Sequence, residues 1–588
     1  MSIKYIDVMD TTFRDGFQSV FGGRVLMSDF LPAVDAAVEA GIKHFEFGGG
    51  ARFQSLFFYL KENAFEMMDE FAKRANGANL QVLARGINTV MLDTGSREMI
   101  DLFAKLFAKH STTTVRNFDA LNDVNNLIYS GKAIKKAGMK HEAVVTIMDL
   151  PPGCSGAHDV DFYEKVLREI IDNVEFDSIA FKDATGTANP NKIYHTVKMA
   201  RKLLGDDVHI RLHTHETAGI SVTSYIAALE AGVDGIDLAA APVSGGTSQP
   251  DIITLLHATK GMPYSLGNLD MEKVLEYEEV LKECLKDYFF PPEATQVNPI
   301  IPFSPMPGGA LTANTQMMRD NKILHKFNEV IKAMREVVEK GGFGTSVTPV
   351  SQFYWQQAFN NVMFGPWKKI APGYGKMVLG YFGKTPVSPD EEVIKLASDQ
   401  LGLEPTDENP LDIADRDERK KIAYWKSLLE KEGIETSEEN IFIAASCQEK
   451  GIAFLKNESP LMVRKKGEEM ANSGIYTVIV DGEVFNVEVK EGKVEIKNEA
   501  KPVVKEETTV EPTKEDVIEV LSPVPGTVWK ILVNPGDKVN AGDKIMILES
   551  MKMEIDIPSP TSGIIAHIPV KINDSVSEGD VLATIEEE

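Results

Sequence analysis

Across roughly the first 262 residues, short apolar runs alternate with longer segments of helical period, and no other feature restricts the fold as much. Strand-like runs fall at Tyr5–Met9, Lys43–Phe47, Leu80–Ala84, Thr114–Phe118, Glu142–Ile147, Asp177–Phe181, Val208–Leu212 and Gly235–Leu238. Helical stretches such as Asp29–Ala40, Leu121–Ala137 and Thr217–Ala231 lie between them. Strands alternating with helices build parallel βα units. Eight units in this length predict a closed (β/α)8 TIM barrel over residues 1–265, an α/β fold. The other arrangement of such units is an open doubly wound sheet. No GxGxxG follows the first strand, which counts against a dinucleotide-binding version.

A barrel puts its chemistry at the C-terminal ends of its strands. Asp15 and Gln18 follow the first strand, Arg85 the third, and Phe118–Asp123 the fourth. Lys182 ends the sixth, His213 and His215 end the seventh, and Thr247 follows the eighth. His213 and His215 are two apart on a strand, so both imidazoles face one side. With Asp15 across the mouth they form an N2O donor set suited to a divalent ion such as Zn, Mn or Co. Two histidines satisfied by ordinary hydrogen bonds is the plainer reading. Lys182 at the end of a buried strand needs a partner. It can pair with Asp183 or Asp15, form a Schiff base, or react with CO2 to give a carbamate that ligates through oxygen.

The tail is self-similar. Gly526 is echoed by Gly563, Val539 by Val576, and Gly542-Asp543 by Gly579-Asp580, each 37 positions on. Met551-Lys552-Met553 lies near the junction of the two copies, where a hairpin turn presents a lysine to solvent. Residues 519–588 resemble an all-β biotinyl domain with Lys552 as the attachment lysine. The flanking Met551 and Met553 favour biotin over lipoate or an unmodified side chain.

Between barrel and tail, residues 266–473 carry helical stretches at Met271–Leu285, Met317–Lys340, Pro389–Leu401 and Arg416–Glu432. Residues 474–496 read as a small β region: Ile475–Val480 and Glu483–Val489 flank Asp481-Gly482, a hairpin signal, and a short strand is expected at Lys493–Ile496. Residues 497–518 are charged, contain Pro502 and Pro512, and read as a flexible linker. The net charge of −26 argues against binding nucleic acid or anionic membranes. Three widely spaced cysteines, Cys154, Cys284 and Cys447, fit a reducing, cytoplasmic setting. No run of about 18 apolar residues and no signal-peptide core are present.

Together the motifs resemble the carboxyltransferase domain of the biotin-dependent enzymes acting on 2-oxo acids. The resemblance implies a conserved helical carboxylase domain around Pro305–Gly309 and Val347–Gln352, packed on the barrel mouth. It implies metal ligation by Asp15, carboxylated Lys182, His213 and His215. It also implies substrate binding by Arg85 and Gln18, and proton relay by Thr247. Phe17 stands where the family usually has histidine, and Leu92 where it often has tyrosine; both are expected near the substrate pocket. The implied activity moves a carboxyl group between carboxybiotin and a 2-oxo acid such as pyruvate, as one component of a two-subunit pyruvate carboxylase. Close alternatives are the alpha subunit of a sodium-pumping oxaloacetate decarboxylase, with membrane decarboxylase partners, and the large subunit of a 2-oxoglutarate carboxylase. A non-catalytic biotin-bearing scaffold is the alternative of another class. Absence of an ATP-grasp segment implies a separate ATP-dependent biotin carboxylase subunit. Biotin protein ligase as a further partner, and homo-oligomerisation, follow from the family.

Overall fold

The computed structural model describes residues 3–466, 474–480, 483–489, 517–550, 553–572 and 574–587. The chain divides into two compact units. One comprises Met1–Lys286 with Phe290–Val463, the other Asp287–Phe289 with Arg464–Glu588.

In the first unit eight parallel strands close into a barrel. They are β1 Lys4–Asp10, β2 His44–Gly49, β3 Asn79–Ala84, β4 Thr114–Asn117, β5 Lys140–Thr146, β6 Ser178–Asp183, β7 His209–Thr214 and β8 Gly235–Leu238. β1 pairs with β8 through Asp7–Asp10 and meets β2 at Asp10↔Phe45. That closure excludes the open doubly wound sheet. A short ninth strand, β9 Tyr264–Leu266, runs parallel to the start of β1.

Principal outer helices follow the barrel strands in turn: α1 Met27–Glu39, α2 Ala64–Arg74, α3 Arg97–Lys109, α4 Asn125–Lys136, α5 Val160–Asn173, α6 Pro190–Leu204, α7 Ser221–Ala231 and α8 Ile252–Ala258. Their starts are written locally. Asn63, Ser96, Asp159, Asn189 and Asp251 each accept a bond from a backbone N–H of the first turn. α4 begins four residues later than the periodicity predicts. Asp119 accepts from the N–H groups of Leu121 and Asp123, and Asn122 adopts φ +55°, so this stretch is a turn. α7 likewise starts at Ser221 rather than Thr217.

The helical region contributes α9 Met271–Cys284, α10 Gly308–Asp320, α11 Phe327–Lys340, α12 Val350–Phe364, α13 Pro372–Val378, α14 Glu391–Leu401, α15 Pro410–Arg416, α16 Ile422–Lys431 and α17 Glu438–Leu455. The single helix expected at Met317–Lys340 is two, broken where Lys322 takes φ +58°. The one expected at Arg416–Glu432 starts at Ile422, because Lys421 is extended. This region lies on the barrel mouth. The Thr345 N–H donates to Ala120 O (2.8 Å), Asn126 Nδ2 to Phe382 O (2.9 Å), and the Thr146 and Thr345 hydroxyls meet at 2.8 Å.

The second unit holds a hairpin, β10 Gly474–Val480 with β11 Glu483–Val489, and an all-β domain. Asp481-Gly482, the strand expected at Lys493–Ile496, and the linker up to Asp516 lie outside the described residues. The all-β domain comprises β12 Val517–Leu521, β13 Gly526–Ile531, β14 Lys538–Val539, β15 Lys544–Ser550, β16 Met553–Pro558, β17 Gly563–His567, β18 Ser575–Val576 and β19 Val581–Glu587. They form two antiparallel sheets, ordered β12-β19-β17-β14 and β16-β15-β13-β18. The 37-residue repeat is a pseudo-twofold: Gly526 pairs with Val576, and Val539 pairs with Gly563. The repeat also explains its glycines. A Cβ on Gly526 would stand 2.7 Å from Glu549 O, and one on Gly563 2.2 Å from Glu586 O. β16 alternates strictly, with Met553, Ile555 and Ile557 buried and Glu554, Asp556 and Pro558 exposed.

Among the described residues no helix is long and apolar enough to cross a membrane, and the three cysteines are free thiols.

Candidate active site

Strand parity assembles the site. On β7, Arg211 and His213 face the barrel interior, and His215 follows just beyond the strand. Lys182 on β6 is in register with His213, so the two side chains are cross-strand neighbours. Asp15 enters from the turn Thr12–Gly16 after β1 and is buried. Ligand atoms of Asp15, His213 and His215 all lie within 4.8 Å of one another. Asp15 Oδ2 stands 3.2 Å from His213 Nε2, 3.3 Å from His215 Nε2 and 3.8 Å from Lys182 Nζ. The structure thus brings together the four expected metal-site residues.

The bonding around this group fits a cation. His213 Nδ1 lies 2.8 Å from Asp237 Oδ2, and His215 Nδ1 donates to Thr247 O at 2.7 Å. With both Nδ1 atoms protonated toward those partners, both Nε2 atoms present lone pairs to a carboxylate oxygen. Three acceptors converge with no proton of their own between them. Lys182 Nζ, 2.8 Å from His213 Nε2, and Gln249 Nε2, 3.0 Å from His215 Nε2, supply the available N–H groups. Burial pushes the Asp15 carboxyl up, but Arg14, His215 and Lys182 overcome this and hold it well below the usual carboxylate range. Burial lowers the Lys182 ammonium to about 8, within reach of the neutral amine that carbamate chemistry requires.

A cleft opens above this group, walled by Arg85, Gln18 and Phe118 from the barrel and by Gly309, Ala310 and Val347 from the helical region. Arg85 is 2% exposed; its Nη1 donates to Val90 O (2.9 Å) and Met91 O (3.0 Å), and its Nε has no partner. Among the described residues it faces no carboxylate. Burial and the nearby Arg14 lower its guanidinium to about 9. Gln18 Oε1 accepts from Arg14 Nη1 (3.3 Å) and the Ala51 N–H (3.1 Å).

Thr247 is buried but does not line the cleft. Its hydroxyl donates to Ser19 O (2.9 Å), and Thr312 on α10 donates to it at 3.3 Å. Pro307-Gly308-Gly309 opens α10 rather than forming an ordinary turn. A Cβ on Gly308 would fall 1.7 Å from Thr247 O, so glycine permits this contact between the helical region and the barrel loop. Neither expected departure is among the residues that wall the cleft. Phe17 is fully buried among Phe13, Phe21 and Phe30, and Leu92 is 42% exposed. Both adjoin residues of the site in sequence, Gln18 and Met91, but their side chains do not form the wall. Met551 and Lys552 lie outside the described residues; β15 and β16, which flank them, pair at Ser550↔Met553.

Sequence reasoning missed Arg14, Glu46, Asp237, Gln249 and Thr312. Arg14 Nε donates to Glu46 Oε2 at 2.8 Å, and Gln249 Nε2 to Asp15 Oδ2 at 3.1 Å. The inward parity of β2 and β8 was the available signal for Glu46 and Asp237.

Three families match in succession: HMGL-like over residues 5–280, the conserved carboxylase domain over 301–498, and biotin-requiring enzyme over 518–585. The B subunit of pyruvate carboxylase from Methanocaldococcus jannaschii is 32% identical over 93% of this chain and 94% of its own. The 2-oxoglutarate carboxylase large subunit of Hydrogenobacter thermophilus is 28% identical over 94% of this chain and 91% of its own. The carboxyl transferase domain of Rhizobium etli pyruvate carboxylase shares the fold, with TM-score 0.70 and 24% identity over 78% of each chain. A closed barrel capped by a helical carboxylase region, with a biotinyl domain on the same chain, completes the correspondence: the chain belongs to the family of biotin-dependent carboxyltransferases that includes the Methanocaldococcus pyruvate carboxylase polypeptide.

Proposed function

We propose that the cleft transfers a carboxyl group between biotin on Lys552 and a small 2-oxo monocarboxylic acid, with pyruvate and oxaloacetate as the pair. The observation that carries this reading is Arg85: a buried guanidinium with an unpartnered Nε and no carboxylate, on the wall above three converging acceptors. Such a cation is costly unless an anion completes it. A substrate carboxylate does so with charge-assisted hydrogen bonds.

Asp15, His213, His215 and Lys182, the last as its carbamate, would hold a divalent ion, Zn, Mn or Co. When bound, such an ion supplies electrophilic stabilisation of negative charge on the keto oxygen. Charge supports the carbamate. Arg14, Arg85 and Lys182 border the cup against two carboxylates, Asp15 and Glu46. A dication beside a protonated Lys182 adds to that positive excess, whereas carboxylation of the amine removes two charges and contributes an oxygen ligand.

Biotin supplies the transferable carboxyl group; the protein's own residues orient the acceptor and relay its proton. Arg85 fixes the acid's carboxylate, and the amide of Gln18 orients the reacting end. From behind the cleft wall, the hydroxyl pair Thr247–Thr312 would relay the proton from the carbon beside the keto group to the biotin nitrogen that gives up the carboxyl group. Thr247 is the expected relay, and Thr312, one hydrogen bond away on the helix that walls the cleft, shares the role. Run in reverse, the same groups decarboxylate oxaloacetate. The relative from Methanocaldococcus is by name one subunit among others, which supports a separate biotin carboxylase as the ATP-dependent partner. Biotin protein ligase is then needed to load Lys552.

Arg85 also bears on the choice of acid. Leu83, Phe118, Ala184 and Val347 make part of the remaining wall apolar, and of the two guanidinia that line the cleft Arg14 is paired with Asp15 and Glu46, leaving Arg85 without a carboxylate among the described residues. A further carboxylate beyond the one that is transferred, as in 2-oxoglutarate, would be buried unpaired at about 3 kcal/mol or more. Turnover with pyruvate should therefore exceed that with 2-oxoglutarate by about a hundredfold. Arg85→Ala should lower kcat/KM for pyruvate by about 10- to 150-fold. Equal use of both acids, or wild-type kinetics in Arg85→Ala, would refute the assignment.

A further inference from the structure

Seven of the eight strands of the barrel contribute a polar side chain to a closed ring beneath the metal cup. Asp7 Oδ2 meets His44 Nδ1 at 2.8 Å, and His44 Nε2 meets Gln81 Oε1 at 3.0 Å. Gln81 Nε2 donates to Glu142 Oε1 at 2.9 Å, and Arg116 Nε donates to the same oxygen at 2.5 Å. Arg116 Nη1 donates to Asp237 Oδ2. Arg211 Nη1 donates to Asp237 Oδ1 at 3.0 Å, and Arg211 Nη2 returns to Asp7 Oδ2. Barrels of this kind usually fill this layer with Val, Ile and Leu. The path of Arg211 is cleared by Gly235, its partner in register, where a Cβ would stand 2.7 Å from Arg211 Cζ.

The ring touches the cup through His213 alone of the two histidines. Asp237 Oδ2 accepts from His213 Nδ1 at 2.8 Å, whereas His215 Nδ1 donates to a backbone carbonyl. Each oxygen of Asp237 is held by a guanidinium from a different strand, so the carboxylate cannot rotate away from the imidazole. His213 is also the histidine that Lys182 contacts. A fixed carboxylate on Nδ1 sets the tautomer, aims Nε2 into the cup and raises its basicity as a ligand.

We propose that Asp237, clamped between Arg116 and Arg211, is the positioning residue that presets His213 as a metal ligand, with the polar ring as its frame. The proposal rests on the metal reading given above. A ring that merely filled the barrel would affect stability alone.

The test uses the full chain, stripped with a chelator and titrated with Zn2+ against a chromogenic competitor. Asp237→Asn should weaken Zn2+ binding by about 10- to 100-fold, and should also lower the melting temperature because Arg116 and Arg211 lose their shared carboxylate. In the metal-free protein labelled with 15N-histidine, His213 should hold its proton on Nδ1 in the wild type and lose that preference in Asp237→Asn. Arg116→Lys keeps the charge but loses the fork spanning Glu142 and Asp237, and should also weaken Zn2+ binding. Unchanged affinity in Asp237→Asn, measured below its melting transition, overturns the proposal alone. A wild-type chain that binds no Zn2+ overturns the metal reading and this proposal with it.

Discussion

The barrel and the biotinyl domain bury opposite kinds of interior. Inside the barrel, Arg14, Arg116, Arg211, Glu142 and Asp237 are almost fully enclosed and bonded to neighbouring charged groups. Inside the biotinyl domain the enclosed side chains are mainly apolar, Val528, Ile545, Leu548, Ile555, Ile565, Leu582 and Ile585 among them, with three serines and no buried charge among the described residues. The first interior is continuous with the residues proposed to act, through Asp237 and His213. The second is a scaffold whose chemistry is confined to one turn. Substitutions should therefore fall on function and stability together in the barrel, and separate cleanly in the tail.

The largest separation is expected at the tail. Lys552→Arg should abolish biotin incorporation, read by streptavidin blot, and with it transfer on the chain's own cofactor, while Zn2+ affinity and melting stay at wild-type values. A loss of metal binding in that variant would break the proposed independence. In the barrel, Thr312→Ala and Thr247→Ala should each lower carboxyl transfer by about 10²- to 10⁴-fold, the range for a positioned proton-transfer group. Biotinylation should be unaffected in both. If only one variant loses activity, the relay belongs to that hydroxyl; if neither does, the pair has no part in proton transfer.

Next in size is Ile585→Ala. Ile585 is fully buried and registers with both Ile518 and Ile565 across neighbouring strands. Its truncation should destabilise the biotinyl domain by about 2–5 kcal/mol, measured by denaturant unfolding, without changing Zn2+ affinity. The smallest effect concerns pH. Burial and the neighbouring Asp251 push the Glu278 carboxyl up to about 8 from its ordinary 4.5. The folded state then holds a proton that the unfolded state has released. That contribution is fully present below 4.5 and is lost as pH rises through about 8. Glu278→Gln should flatten the decline in melting temperature over that interval; an unchanged slope would place the titration elsewhere.

Much of this is legible in the chain because it is written in local periods. Alternating strands and helices specify the barrel, and the parity of His213 and His215 with Asp15 marks the cup. The repeat at 37 residues marks the biotinyl domain. What is not legible depends on contacts between distant segments. Asp237 and Glu46 look like ordinary strand carboxylates until closure brings β1 beside β8 and Arg14 beside β2. Thr312 sits in a helix whose start is set by Gly308 touching Thr247 O, a meeting of two loops that no local pattern records. Phe17 is expected near the pocket from the family resemblance, yet the turn of Thr12–Gly16 directs its ring into an aromatic core.

The most direct test of the central claim is to follow one labelled carboxyl group. Metal-loaded, biotinylated chain is mixed with oxaloacetate carrying 14C in the carboxyl beside its methylene, gel-filtered rapidly and counted. The account predicts label on the wild-type chain and none on Lys552→Arg or on protein stripped of metal. Label retained by Lys552→Arg, or none on a fully biotinylated and metal-loaded wild type, would contradict it.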